Sequence, residues 1–272
     1  MARPGQHAPA WISGGSSGIG LEVARQLAAK GRPVVLIARN AERLAVAAGS
    51  LRRDVPGAGV DCIACDVTDH AAVMAAVAEA FAARGAPGIV VASAGLAEPG
   101  RFLDQEIGSH HAQLSVNYTG TLNLLHAAAP LMRDAGGGQM ALISSGAAFF
   151  GIYGYGAYAP SKFAVRALAE VLRVELAPHD ISVTLCYPPD TDTPQLAAES
   201  LTKPEATKII SEGGGLWQPG DVARLTIRGM ERGRFAVTPG WQMTALYWIA
   251  PLIWPIMRWH QGRVVRKVGA EK

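Results

Sequence analysis

The stretch that most restricts what this chain can become lies at its start. A short apolar run, Ala8 to Ile12, enters Ser13-Gly-Gly-Ser-Ser-Gly-Ile-Gly20. There follows LEVARQLAAKG, with Leu21, Val23, Ala24, Leu27 and Ala28 at helical spacing and a stop at Gly31, and then the unbroken apolar run Pro33 to Ala38. The order is strand, glycine turn, helix, strand. A strand that is apolar at every position, as PVVLIA is, has both faces buried, which requires a parallel sheet covered by helices.

The alternation continues. The periodicity predicts helix Ala41–Leu51, strand Val60–Cys65, helix His70–Arg84, strand Ile89–Ala92, a long helix from Ile107 to Met132, strand Met140–Ser144, helix Ala157–Leu176 and strand Ser182–Tyr187. Such a series makes an α/β fold, a doubly wound open sheet with a ligand crevice at the carboxyl ends of its strands. No linker or repeat divides it, so residues 1–242 read as one domain. Within it, residues 189–219, rich in Thr, Pro and Gly, read as an irregular lid over a site. A helix from Pro219 to Arg232 and a strand over Arg234–Thr238 come next. Residues 243–272 form an apolar, then basic, C-terminal segment.

Hydrophobic residues make up 49% and charged residues 17%, which favours a globular enzyme over a disordered chain. The net charge of +3 is concentrated at the end. Five cations against Glu271 give residues 258–272 a net +4 and leave −1 for the rest, so a nucleic-acid surface has no basic patch in the body. Of three cysteines, Cys62 and Cys65 lie in the strand-like VDCIACDV without the second pair or the histidines that zinc needs; with Cys186 they read as small buried thiols and imply no metal. MARPGQHAPAW lacks the apolar core of a signal peptide.

The glycine turn is the first chemical signal. Gly14, Gly18 and Gly20, with Ser16, Ser17 and Ile19 between them, stand between a strand and a helix N-terminus, where backbone N–H groups can approach a pyrophosphate. The second strand ends at Ala38 and continues Arg39-Asn-Ala-Glu-Arg43. The acid that would accept hydrogen bonds from an NAD ribose is missing there, and Arg39 can pair with a 2′-phosphate, so the expected cofactor is NADPH, with Arg43 one turn on as a second contact or a solvated helix residue.

The second signal is Ser145, Tyr158 and Lys162. The i, i+4 step places Tyr158 and Lys162 on one helix face. An ammonium about 4 Å from a phenol is worth about 4 kcal/mol at an effective dielectric near 20, enough to lower a tyrosine pKa from about 10 to about 7. Such a phenol can pass a proton while Ser145 hydrogen-bonds the oxygen that receives it. The pair alone would equally suit a surface helix. Tyr153 and Tyr155 lack a lysine partner and read as lining the pocket mouth; His110 and His111 read as solvated, Trp11 and Phe149 as packing residues.

With the glycine turn and Ser145, Tyr158 and Lys162 together, the chain resembles the classical short-chain dehydrogenase/reductase family from about Ala8 to Pro194. Ser13 stands for the Thr of the family's T-G-x-x-x-G-x-G turn. The resemblance implies that Asp66 and Val67 touch the adenine, that Asn117 in SVNYTG holds a water in a proton relay, that Lys162 also binds the nicotinamide ribose, that Tyr158 is the acid and that Ser145 positions the carbonyl. It carries Gly95, Thr191 and Thr193 into the cofactor site. Ala92-Ser-Ala-Gly95 stands where the family has N-N-A-G, and Pro188-Pro189 where it has P-G. Tyr187–Pro194, Thr202-Lys-Pro204 and Ile210-Ser-Glu212 look like the 3-ketodihydrosphingosine reductase branch. That branch implies a long-chain sphingoid ketone as substrate. A reductase of another lipophilic carbonyl, and a non-catalytic nucleotide sensor or membrane scaffold, are the alternatives.

Such a ketone resides in a bilayer, and the C-terminal segment suits its surface. Met243 to Met257 is apolar but only fifteen residues long and carries Pro251 and Pro255, short of the roughly 20 residues of a span. Tyr247, Trp248, Trp254 and Trp259 can sit among headgroups, Leu252, Ile253 and Ile256 can enter the acyl boundary, and the cations beyond can meet anionic lipid. The expectation is a monotopic anchor on the cytoplasmic face of a membrane, or a homo-oligomer interface, or both.

Overall fold

The computed structural model describes residues 7–211 and 215–270; the N-terminal MARPGQ, Glu212 of the branch motif, and the terminal Glu271 and Lys272 lie outside the described residues. Seven strands run β1 (Ala10–Ser13), β2 (Val34–Ala38), β3 (Val60–Ala64), β4 (Ile89–Ala92), β5 (Gly138–Ile143), β6 (Ile181–Cys186) and β7 (Ala236–Val237). They form one sheet in the order β3-β2-β1-β4-β5-β6-β7, every neighbouring pair parallel. Ile12 lies in register with Leu36 on one side and Val91 on the other, so strand order reverses around β1, and the crevice opens beyond Ser13 and Ala92.

Alternation along β1 sends side chains to two separate cores. Trp11, with Val35 and Val90, packs with Val73 and Val77 of α3 (His70–Arg84), Leu124 and Ala128 of α5 (Gly120–Asp134) and Val165 of α6 (Tyr158–Glu175). Ile12, Leu36 and Val91 pack against Val23 and Leu27 of α1 (Gly18–Ala29), Leu44 and Leu51 of α2 (Ala41–Asp54) and Ile227 of α9 (Pro219–Glu231). The predicted doubly wound sheet is therefore present, and α3 and β4 have the predicted bounds.

Four expectations are corrected. The long helix over Ile107–Met132 is α4 (Ile107–Leu114), then a π-helical turn over Ser115–Thr119, then α5. The wider turn shifts the hydrogen-bond register and turns the Asn117 side chain inward, where it is 1% exposed. The stretch predicted as irregular is largely helical over 194–211: Thr193 caps α7 (Pro194–Thr202) by accepting from Leu196 N–H, and α8 (Glu205–Ser211) follows. Cys62 is exposed, because it lies on the edge strand β3, while Cys65 and Cys186 are buried.

The fourth concerns the C-terminal segment. Gly240–Ala270 is one helix, α10, with Pro251 and Pro255 inside it. Each proline removes one backbone hydrogen bond, yet both face outward, and packing of the opposite face holds the helix together. Met243 and Ala250 join the core, Tyr247 lies against Phe149 and Tyr187, and Gln261 donates to Gly151 O (3.0 Å) and accepts from Tyr153 N–H (2.9 Å). Tyr247 and Ile253 thus turn inward rather than toward a bilayer. Among the described residues no helix is long and apolar enough to cross a membrane.

Candidate active site

A cavity of about 670 Å³ opens at the carboxyl ends of the strands and joins both chemical signals. Gly14, Ser16, Ser17, Gly18 and Ile19 line one end with Arg39, Arg43, Asp66, Val67 and Gly95; Ser145, Tyr158, Lys162, Thr191 and Thr193 line the middle. Two expected residues do not face it. Gly20 is packed under the turn, where a Cβ would come within 2.5 Å of Gly14 O, and Asn117 lies behind the wall.

The glycine turn keeps its shape for steric reasons. Gly14 has φ +68°, and a Cβ there would meet Ser93 C and O at 2.7 Å. A side chain is thereby excluded twice, by dihedral and by space. The cradle so formed, at the N-terminus of α1, fits the diphosphate of a dinucleotide. Ser13 Oγ accepts from Ser93 N–H (3.2 Å) and Ala94 N–H (3.3 Å), and Asn117 pairs with Leu96 N–H (2.7 Å) and O (2.9 Å). These bonds fasten the end of β4, where the family's first Asn is replaced by Ala92.

At the end of β2, Asn40 Oδ1 caps α2 by accepting from Arg43 N–H at 2.8 Å, so Arg39 and Arg43 both stand at the rim. Among the described residues neither makes an ion pair with a side chain. Asp66 is held by Thr68, whose N–H (2.9 Å) and hydroxyl (2.8 Å) donate to Oδ1. Burial pushes its carboxyl up, but the Thr68 bonds and the charge of Arg39 outweigh this and hold it below the usual range.

In the first turns of α6, Lys162 Nζ donates to Ile143 O (3.1 Å) and stands 5.6 Å from the Tyr158 ring centre. Ser144 Oγ donates to Lys162 O (3.1 Å), and Ser161 Oγ to Tyr158 O (2.7 Å). The expected lowering of the tyrosine pKa is not found. Burial drives the Tyr158 phenol well above its ordinary value, the Glu199 charge adds to this, and hydrogen bonds with Ser145 and Gln195 oppose it only in part. Lys162 moves the other way: burial lowers it to about 8, against the pull of Glu199. The cause is that both groups are desolvated together, which penalises either charge. A phenol that keeps its proton is suited to act as an acid.

Sequence reasoning missed a polar group beside Tyr158. Tyr155, expected at the pocket mouth, is buried, and its hydroxyl donates to Glu199 Oε2 at 3.0 Å. Gln195 Nε2 donates to Glu199 Oε1 at 3.0 Å. Gln195 and Glu199 sit at i, i+4 on α7, and the Thr193-Pro194 capping sequence was the available signal for that helix. Beyond Tyr158 the cavity becomes apolar along Phe150, Ile152 and the inner face of α10 at Leu246, Ile249, Ile253 and Met257.

A dinucleotide cradle at a topological switch point, joined to a serine, a tyrosine and a lysine, defines a Rossmann-like oxidoreductase site. The chain belongs to the short chain dehydrogenase family, whose sequence model matches residues 9–204. A 3-dehydrosphinganine reductase of Danio rerio is 36% identical over 245 residues, 86% of this chain and 73% of the fish protein. The 3-dehydrosphinganine reductase TSC10B of Arabidopsis thaliana is 36% identical over 236 residues, 84% of this chain and 68% of the plant protein. An alcohol dehydrogenase from the archaeon Thermococcus sibiricus, solved with 5-hydroxy-NADP, superposes with a TM-score of 0.72 at 27% identity, covering 83% of this chain and 91% of that one.

Proposed function

We infer that this protein is a reductase that converts the C3 ketone of 3-ketosphinganine (3-ketodihydrosphingosine) to the alcohol of sphinganine, with NADPH as the reductant. The observation that carries this reading is the single cavity that runs from the glycine cradle past Tyr158 into an apolar trough beneath α10. A trough of that lining suits an alkyl chain, and the relatives from fish and plant bear the matching name.

When bound, NADPH supplies a hydride. The residues of the chain do the rest. Gly14, Ser16, Ser17, Gly18 and Ile19 hold the diphosphate at the N-terminus of α1, and Arg39 and Arg43 meet the 2′-phosphate where an acid would repel it. Asp66 and Val67 border the adenine, Gly95 leaves room for close approach, Lys162 holds the ribose, and Thr191 and Thr193 close the nicotinamide end. Tyr158 keeps its proton until charge develops on the substrate oxygen, then delivers it there, while Ser145 donates a hydrogen bond to the same oxygen.

The outward face of α10 meets a membrane surface. Trp248 (73% exposed), Leu252 (78%), Ile256 and Trp259 follow one another along it at helical spacing, Trp254 is exposed at its flank, and the guanidinium groups of Arg258 and Arg263 lie over the rings of Trp254 and Trp259. In flotation with anionic liposomes, a Trp254→Glu/Trp259→Glu protein should stay at the bottom while the parent floats; equal flotation would refute the contact. Sedimentation of the same pair shows whether the face instead joins two copies of the chain.

The function itself is tested by following NADPH oxidation with 3-ketosphinganine in detergent micelles and identifying sphinganine by mass. Turnover of a steroid or a 3-oxoacyl chain with none of 3-ketosphinganine would overturn the substrate.

A further inference from the structure

The proton donor of this site has a carboxylate for a neighbour, and the reduction described above gives that carboxylate no task. Glu199 is 6% exposed and lines the cavity. Each of its oxygens accepts one neutral hydrogen bond, from Tyr155 and from Gln195. A carboxylate has about four acceptor positions, so part of its capacity is unused. Among the described residues it makes no ion pair: of the two buried cations near enough to act on it, Lys203 is engaged with Asp190 at 3.3 Å and Lys162 donates to Ile143 O, so neither is in contact with it. A buried carboxylate with no cation in direct contact is costly, and in a cavity a cationic ligand can make that contact.

Its position narrows the ligand. Tyr155, whose hydroxyl bonds Glu199, packs beside Tyr158 with ring centres 5.3 Å apart, and Gln195, bonded to Glu199, lines the same cavity as Tyr158. Glu199 therefore shares the cavity with the group that protonates the ketone oxygen and is bonded to the tyrosine beside it. A ligand that satisfies both carries a cation close to its ketone, as a 2-amino-3-ketone does. We propose that Glu199, oriented by Tyr155 and Gln195, receives the ammonium group of a 2-amino-3-ketone and so makes the enzyme select aminated long-chain ketones over neutral ones. The proposal rests on the substrate reading above and adds the residue that enforces it. Burial pushes the Glu199 carboxyl up despite the bonds from Gln195 and Tyr155, and an ammonium seated against it would favour the ionised form.

The test compares kcat/KM for 3-ketosphinganine and for 1-hydroxyoctadecan-3-one, which lacks the amine, at saturating NADPH in the same micelles. The parent enzyme should prefer the amine by about 30-fold, the worth of one charge-assisted hydrogen bond. In Glu199→Gln that preference should fall to within about threefold of unity, and in Tyr155→Phe it should fall part of the way. A carboxylate needed only for folding or proton delivery would lower both rates in proportion; an unchanged ratio in Glu199→Gln overturns the proposal. A measurement without variants covers a protein that does not fold: sphinganine should inhibit the parent at least about tenfold more tightly than octadecane-1,3-diol, and equal inhibition overturns the proposal as well. If the parent reduces only the neutral ketone, the substrate reading itself has failed, a result distinct from loss of the Glu199 effect alone.

Discussion

Asn117 Nδ2 donates to Ser161 Oγ across 2.8 Å, and so a π turn is tied to the first turn of α6. Ser161 passes the constraint on by donating to Tyr158 O at 2.7 Å, while Asn117 Oδ1 accepts from Leu96 N–H and Nδ2 also donates to Leu96 O. Asn117 is therefore a positioning residue that sets Tyr158 relative to the crevice. Replacing it with Leu keeps the volume but strips Leu96 N–H and C=O of their Asn117 bonds and unties Ser161 from the π turn, at a cost of about 1–3 kcal/mol in stability. The expected kinetic signature is a fall in kcat greater than the rise in KM. Ser161→Ala, which spares the Leu96 bonds, should show the same split with a smaller loss of Tm. Thermal unfolding beside steady-state kinetics checks both.

Tyr158 is asked to donate one proton. Tyr158→Phe removes only the oxygen, so NADPH binding, followed by fluorescence, should be retained while kcat drops by about 10²–10⁴. Full-rate reduction by this variant would remove Tyr158 from the mechanism.

The lowered value of Lys162 sets two pH dependences of opposite sense. Its cation is present below about 8 in the folded protein, so kcat/KM for reduction should hold steady at lower pH and decline as pH rises through about 8. Stability runs the other way. An unfolded lysine titrates near 10.5, so between about 8 and 10.5 the unfolded chain binds the extra proton, and this group's contribution makes the fold more stable as pH rises across that window. Burial of Tyr158 and Cys186 acts against it at high pH, so the readout is the difference between parent and Lys162→Met. That difference should change in favour of the parent between pH 7.5 and 10, by on the order of 1–3 kcal/mol.

The proposed 2′-phosphate contact falls to Arg39 and Arg43, which line the rim after β2. Arg39→Ala should raise KM for NADPH by about 10–100-fold and leave KM for NADH within about threefold. Equal effects on both cofactors would place the phosphate contact elsewhere.

Most of the sheet could be read from the residues, because a strand covered on both faces must be apolar throughout, as Val34–Ile37 and Val90–Val91 are. The cradle was readable for a related reason: glycines between a strand and a helix have few other uses. Three features were hidden. A π turn changes hydrogen-bond register but hardly the spacing of apolar residues, so SVNYTG reads as continuous helix. Pro251 and Pro255 argue for a break by local rules, and tertiary packing of Met243, Ala250 and Tyr247 overrides them. Glu199 in AAES has Gln195 one helical turn before it, but its meaning depends on Tyr155, 44 residues away, which only the folded chain brings to it.

The packing of α10 also changes what its removal would do. Gln261 holds the Gly151–Tyr153 loop through two bonds, and that loop leads into Tyr155 and Tyr158. Gln261→Ala should therefore cost about 1–2 kcal/mol in stability and loosen the trough at its far end, near Met257. The loss should grow with substrate length: kcat/KM for an 18-carbon amino ketone should fall several-fold more than for an 8-carbon one, since only the longer chain reaches Ile253 and Met257. An equal fall for both lengths would show that Gln261 supports the catalytic end of the site instead. Either result separates the inner face of α10, which shapes the cavity, from the outer tryptophans, whose substitution should leave this chain-length dependence intact.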